Sequence, residues 1–347
     1  MKRTESRLRA SIVALALLTG NAQADEVAEV LHRWTSGRDA AALDILKRQL
    51  EADGISWQDM PVAGGGRAQA IRLLDARLAA GNPPAALQTS GSDIHEWAER
   101  GVLADLSRLA SREHWDKAVP EALRRFARHG GEWVAAPVSV GSTNWIWANA
   151  AIFEELDLAP PKTWEELVAA LGAIREAGYV ALAHGGQAWQ DAVLFEAVVM
   201  SVGGPQFYRA AFIDLDPHAL GGRQMVEAFD RMAVLRGFVD EAFTGRDWNV
   251  ASAMVIDGDA GMQITGDWAK AQFLDAGLKP AEDILCFRFP ATENAVIFTA
   301  DQLAMFAVAR DRRPTQAALA AALRSPAVQS AFNAARGTVP ARTDIPS

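Results

Sequence analysis

The stretch with the most chemical potential is Ala260–Lys270, Ala-Gly-Met-Gln-Ile-Thr-Gly-Asp-Trp-Ala-Lys. Gly261 to Thr265 reads as a short apolar strand and Gly266 as a turn. Asp267 reads as the N-cap of a helix, because a carboxylate there accepts from the free N–H groups of the first turn. Trp268 then falls in that first turn, at the kind of strand-to-helix junction that borders ligand crevices in α/β folds. A flat apolar ring beside a carboxylate suits a sugar: the ring covers a C–H face and the carboxylate accepts from hydroxyls. The competing reading is structural, with Trp268 in the core and Asp267 serving only as a cap.

No constellation for catalysis or metal binding stands beside this stretch. His32, His95, His114, His129, His184 and His218 are scattered, without the spacing of metal ligands. There is no Gly-x-Ser-x-Gly elbow and no P-loop. Gly64-Gly65-Gly66 lacks a following Lys-Ser/Thr and reads as a flexible turn. The acidic pairs Glu154-Glu155 and Glu165-Glu166 fall on amphipathic helices and read as solvated faces. Neither a cofactor nor a metal is expected. The single cysteine, Cys286, cannot form an intramolecular disulfide; set in the apolar run Ile284 to Phe289, it reads as a buried thiol. Eleven Trp against two Tyr is an unusual ratio. Trp is a good platform for a sugar face, yet most Trp in a folded chain is core.

The elements that must position these residues begin after a leader. Lys2, Arg3, Arg7 and Arg9 precede an apolar run from Ala10 to Leu18, followed by the small-x-small site Ala22-Gln23-Ala24. This reads as a cleavable secretory signal over 1–24, with a mature N-terminus at Asp25. Its apolar run is too short for a spanning helix, and no later segment has 18 uninterrupted apolar residues. The expected product is a soluble, exported, periplasmic protein of 323 residues, enough for two lobes with their own cores. The chain carries −9 in total; taking away the leader's net +3 leaves about −12, which disfavours nucleic acid and anionic membranes as partners.

From Ala28 the chain alternates. Strand-like runs at 28–32, 55–62 and 84–88 enclose helical periodicities at 40–53 and 67–80, with a further helix at 93–100. This β-α-β-α-β order predicts a parallel sheet covered by helices. Residues 135–140 and 143–149 read as extended, and a mostly helical region from Thr163 to about Asp257 returns through the central stretch. The lack of a long linker fits lobes joined by several extended crossings.

Six motifs then occur in order: Trp34-Thr35-Ser36-Gly37; Ala80-Gly81-Asn82-Pro83-Pro84-Ala85; Gly185-Gly186-Gln187-Ala188-Trp189-Gln190; Gly203-Gly204-Pro205-Gln206-Phe207-Tyr208; Gly266-Asp267-Trp268-Ala269-Lys270; and Arg336-Gly337-Thr338-Val339-Pro340-Ala341-Arg342. Together they resemble the extracellular solute-binding proteins of sugar ABC importers, and within them the glucose/monosaccharide branch. The resemblance implies a two-lobed periplasmic-binding-protein fold, each lobe a mainly parallel sheet flanked by helices, with a ligand cleft between. It implies a first lobe of 25–138 and 297–335 and a second of 139–296 and 336–347. It also implies a monomer that binds one sugar without chemistry and delivers it to an inner-membrane permease.

By position, the resemblance implies ligand contacts at Trp34, Asp39, Gln88, Ser90, Trp145, Gln187, Trp189, Trp268, Asp301 and Arg336. Several differ from the branch's usual pattern. Arg33 stands where a Trp-Trp pair has its first ring, Asp39 where Glu is usual, and Ser90 where a basic side chain is common. Thr299 replaces an Asn, Arg336 a Lys, and Gly141-Ser142 a His-Arg pair. The branch also continues past the position of Ser347 through helices covering the second lobe, so that lobe is expected to be shortened. Two other readings stay open: a secreted glycoside hydrolase using Asp39 and Asp301 as paired carboxylates, and a degenerate paralogue that no longer transports.

Overall fold

The computed structural model describes residues 27–345 except 36, 63–66 and 92. The leader 1–24, Asp25 and the Gly64–Gly66 turn lie outside the described residues. In chain order the strands are β1 (Val27–His32), β2 (Ser56–Pro61), β3 (Ala86–Thr89), β4 (Arg128–His129), β5 (Glu132–Trp133), β6 (Ala135–Ser142), β7 (Trp145–Asn149), β8 (Val180–Ala183), β9 (Ala260–Thr265), β10 (Ile284–Arg288), β11 (Phe298–Met305) and β12 (Val339–Pro340). They build a six-stranded sheet in the order β12-β6-β11-β3-β1-β2, a four-stranded sheet β10-β7-β9-β8, and a β4–β5 hairpin.

The first sheet grows from the expected alternation. β1 lies between β2 and β3 and pairs parallel with both, Val27 opposite Ser56 and Val30 opposite Ala86. The helix Gly37–Ala52 between β1 and β2 buries Ala42, Leu43, Leu46 and Leu50. That spacing draws one apolar stripe down a single face. β2 is an outer strand and ends in Pro61, which an edge tolerates because no ladder hydrogen bond is needed there.

Neither sheet is mainly parallel. In the first, β11 runs antiparallel to both β3 and β6, and β12 antiparallel to β6. In the second, only β8–β9 is parallel, while β7 pairs antiparallel with β9 and β10. The cause is the way the chain crosses between sheets: β6 and β11 enter the first sheet as neighbours travelling in opposite directions. β6 stays in the first sheet through Ser142, so the expected break at 138/139 falls inside a strand, and β12 adds 339–340 to the first sheet and not to the second.

Each sheet has its own core. One cluster joins residues between Ala28 and Val138 to residues between Ala300 and Ala341; two others fill the segment from Ile146 to Phe289. Seven of the eleven Trp are buried, so the Trp count by itself is mostly a statement about core packing. Cys286 is exposed, not buried: β10 is an edge strand, and the face that Ile284 and Cys286 share is covered at Ile284 and left open at Cys286.

Two crossings connect the sheets among the described residues, 143–144 and 289–297. Asn144 is fully buried between them. Its amide donates to Thr292 Oγ1 (2.9 Å) and the Ala295 carbonyl (3.0 Å), while its oxygen accepts from Ile297 N–H (3.1 Å) and Arg288 (3.2 Å). Thr143 N–H donates to Ile297 O at 2.9 Å. One amide side chain thus uses all its hydrogen-bonding capacity to hold the crossings side by side.

Candidate functional site

A cavity of about 620 Å³ opens where the two sheets face each other, within the range of roughly 300–1,000 Å³ common for small-ligand pockets. Its first wall is built from residues beyond the C-terminal ends of β1 (Arg33, Trp34, Thr35) and β3 (Ser90), joined by Gln88 within β3, Asp39 on the first helix, Thr299 and Asp301 on β11, and Arg336 at the end of the helix Pro326–Arg336. The opposite wall follows β8 with Gln187, Trp189 and Glu196, adds Asp247 and Trp248 at the start of the helix Trp248–Ile256, and ends with Trp268 after β9. Both walls place side chains at the carboxyl ends of parallel strands, where α/β sheets leave a crevice.

Arg336 organises the first wall. Its Nε donates to Asp39 (2.6 Å), and its Nη1 to Asp301 (2.5 Å) and to Ser139 Oγ (2.8 Å). Gln88 adds a bond from its amide to Asp301 (3.1 Å) and accepts from Arg33 N–H (2.7 Å). The planar guanidinium can bridge two acids in this way where a lysine could not. Burial favours the neutral form of both carboxyls. For Asp301 the Arg336 and Arg33 charges outweigh burial and hold its pKa low. For Asp39 burial wins over Arg336 and the pKa is raised. Burial alone would lower the pKa of Arg336, but Asp301 and Asp39 together raise it.

Gln187 has the matching role opposite. Its oxygen accepts from Trp189 Nε1 (2.7 Å) and Gln190 (3.1 Å), and its amide donates to Asp247. Trp189 and Trp268 stand 6.1 Å apart between ring centroids, tilted by 54°. Gly266 makes room for that arrangement: a Cβ there would lie 2.0 Å from the Trp268 ring.

Of the ten residues expected here, nine line the cavity. Trp145 does not. It is half-buried, donates Nε1 to Ser142 Oγ (2.6 Å), and carries the Arg288 guanidinium 3.6 Å over its ring. Trp34 reaches the cavity but is 2 % exposed and packs edge-on against Phe332 at 5.2 Å, as a core side chain would. Asp267 is not an N-cap: the helix is Ala269–Asp275 and its cap position is Trp268. The Asp267 carboxylate instead accepts from Ser142 N–H and Oγ, both at 2.9 Å, and its own N–H donates to Ser142 O at 2.9 Å. That long-range contact needs Gly141, where a Cβ would come within 2.9 Å of Asp267 Oδ1. Burial raises the Asp267 pKa against the opposing Ser142 bonds.

Other lining residues had little or no prior signal, among them Thr143, Glu196, Asp247 and Trp248. Asp247-Trp248 repeats the Asp-Trp dipeptide of 267–268 at another helix start, and that repeat was the available clue. In the sequence Arg33 stands out only as the residue in place of a Trp, and Arg67 only as the start of a helix.

Two lobes with separate cores, paired crossings and a cavity at the strand ends define a periplasmic-binding-protein fold. The chain belongs to the bacterial extracellular solute-binding protein family, whose model matches residues 34–329. It is similar to a "Probable sugar-binding periplasmic protein" of Rhizobium meliloti (strain 1021), 55% identical over 336 residues, covering 97% of this chain and 81% of the relative. Among solved structures, a "Chitin oligosaccharide binding protein" superposes with a TM-score of 0.78 at 20% identity, over 92% of this chain and 82% of that one. The bacterial solute receptor AcbH, described as exclusive for β-D-galactopyranose, superposes with a TM-score of 0.74 at 14% identity over the same shares.

Proposed function

We propose that this protein is the periplasmic substrate-binding component of a carbohydrate ABC importer, taking one glucose-like monosaccharide in the interlobe cavity and passing it to an inner-membrane permease. The observation that carries the reading is the facing of two unlike walls: the Trp189–Trp268 pair against the Asp39–Arg336–Asp301 bridge, across one cavity. An aromatic face takes the C–H side of a pyranose. The acids and amides take its hydroxyls, each of which costs roughly 1–3 kcal/mol when left unmet. The name of the Rhizobium relative supports both the sugar and the compartment. A paired-carboxylate hydrolase fits less well, because one guanidinium, Arg336, bridges Asp39 and Asp301 and occupies an oxygen of each that would otherwise face a glycosidic bond.

Calorimetry against hexoses, pentoses and disaccharides tests the reading. Saturable, one-to-one binding of a hexose without turnover is the expected result. Hydrolysis of a chromogenic glycoside that is lost in Asp301→Asn would establish the enzyme instead.

A further inference from the structure

Within the proposed sugar site one cation stands apart. Three guanidinium groups, Arg33, Arg67 and Arg336, line the first-lobe end of the cavity. Arg336 holds Asp39 and Asp301. Arg67 holds Asp93, which also accepts from Thr89 Oγ1. Every acid beside Arg33 is therefore already engaged by another guanidinium. Among the described residues the Arg33 side chain has neither an ion-pair partner nor a hydrogen-bond acceptor, although it is only partly exposed. Burial weakens its charged form, with Asp301 the main opposing influence and Arg67 and Arg336 adding repulsion. A guanidinium withdrawn from water with five donors and no acceptor is costly, and its natural complement is a planar carboxylate received by two parallel bonds.

The opposite wall carries the reverse charge. Glu196 accepts from Tyr208 OH (3.2 Å) and Asp247 from the Gln187 amide. An acidic ligand would therefore be oriented, with its anionic end at Arg33 and its hydroxyls toward Glu196 and Asp247.

We propose that the cavity takes a sugar acid, a hexuronate, with its carboxylate on the Arg33 guanidinium. This rests on the reading of the cavity as a carbohydrate site and sets the substrate class within it. The absence of an unpaired cation on the Trp189 wall, among the described residues, fixes which way round the ring enters.

The test is calorimetry on the purified protein with D-glucuronate, D-galacturonate, the parent hexoses, glucose 6-phosphate and glucosamine. At least one uronate should bind ten or more times tighter than its parent hexose, and added salt should weaken that uronate more than the hexose. Arg33→Gln should bring the two within twofold, and Arg33→Lys should keep part of the preference, with melting curves establishing that both variants are folded. Parent hexoses binding as tightly as their uronates would overturn the proposal and leave the sugar site standing. A tighter glucose 6-phosphate would replace the carboxylate by a phosphate, and a tighter glucosamine would move the charged contact to Glu196 and Asp247. No binding of any carbohydrate would remove both the proposal and the reading beneath it. A uronate preference unchanged in Arg33→Gln would also overturn it, since the anion would then sit elsewhere.

Discussion

Arg336→Met removes the bridge between Asp39 and Asp301 while keeping an unbranched apolar stem of similar reach. In the native protein the guanidinium is one-tenth exposed, as is Asp301, and Asp39 is little more exposed. Three hydrogen-bonding atoms lose their partner: when Nε and Nη1 disappear, one oxygen each of Asp39 and Asp301 and the hydroxyl of Ser139 are left. Breaking one buried ion pair from one side costs about 3–5 kcal/mol, because a charge stays behind unpaired. Two carboxylates share this cation, so the upper half of that range applies, softened where Asp39, with its raised pKa, takes up a proton instead. At about 2–4 °C per kcal/mol for a domain of this size, the melting temperature should fall by roughly 6–20 °C at pH 7. Arg336→Lys should lie between, because a point charge can serve one acid but not fork across two. The sign against pH follows from Asp301. Its folded pKa lies below the ordinary carboxylate value, so its contribution is complete above that value and is lost as pH falls through the lower folded one. Scanning calorimetry of both proteins from pH 7 to pH 3 should therefore show the gap narrowing. A melting temperature for Arg336→Met within about 2 °C of wild type at pH 7 would refute the bridge as a source of stability, given the conversion above.

Further outcomes follow from the same geometry. Trp34→Ala should cost about 3–5 kcal/mol of stability, as for a core aromatic, whereas Trp268→Ala should weaken ligand binding by tenfold or more, about 1.4 kcal/mol; titration calorimetry and thermal melts together read both, and a larger stability loss at Trp268 would reverse the two roles. Gly266→Ala forces a methyl against the Trp268 ring, so it should reproduce the binding loss of Trp268→Ala; unchanged affinity would show that the ring is not in contact with ligand. Asp240 accepts two bonds from Arg246 (2.6 and 2.7 Å), which lower its pKa against a smaller opposing effect of burial; the pair should therefore stabilise at neutral pH and fade in acid, so Asp240→Asn should flatten the acid limb of the melting profile. Ligand should also close the lobes by hinge bending, seen as a smaller radius of gyration in X-ray scattering, and an unchanged radius at saturation would count against a closing cleft.

The part of this architecture legible in the sequence was the part written in local periodicity. Strands and helices from Val27 to Glu99 fall within a few residues of their expected bounds, because apolar spacing changes there from two to three or four. What escaped was decided by distant partners. Asp267 is a good N-cap by type, but Ser142, 125 positions away, offers it an N–H and a hydroxyl, and the cap is given up. Trp34 sits in a motif that marks the site, yet Phe332 from a late helix closes over it. Trp145 occupies the first position of β7, where pleat direction turns it toward Arg288 and away from the cavity. β12 has two residues and no pattern to read. Nine of the ten site residues that the resemblance implies nevertheless border one cavity; they come from strand ends, strand interiors and helices alike, so local periodicity could not have grouped them.

The Asn144 clasp limits how such a molecule can change shape. Two strips of backbone tied face to face by one saturated amide, as 143–144 and 289–297 are, cannot slide past one another without breaking several short bonds at once, but can flex together across their common plane. Bending across the two crossings is then the motion that costs the fewest of these bonds. A single distance measured across the mouth of the cavity would then describe the whole excursion, and a substitution such as Asn144→Ala would be felt as added degrees of freedom before it was felt at any ligand.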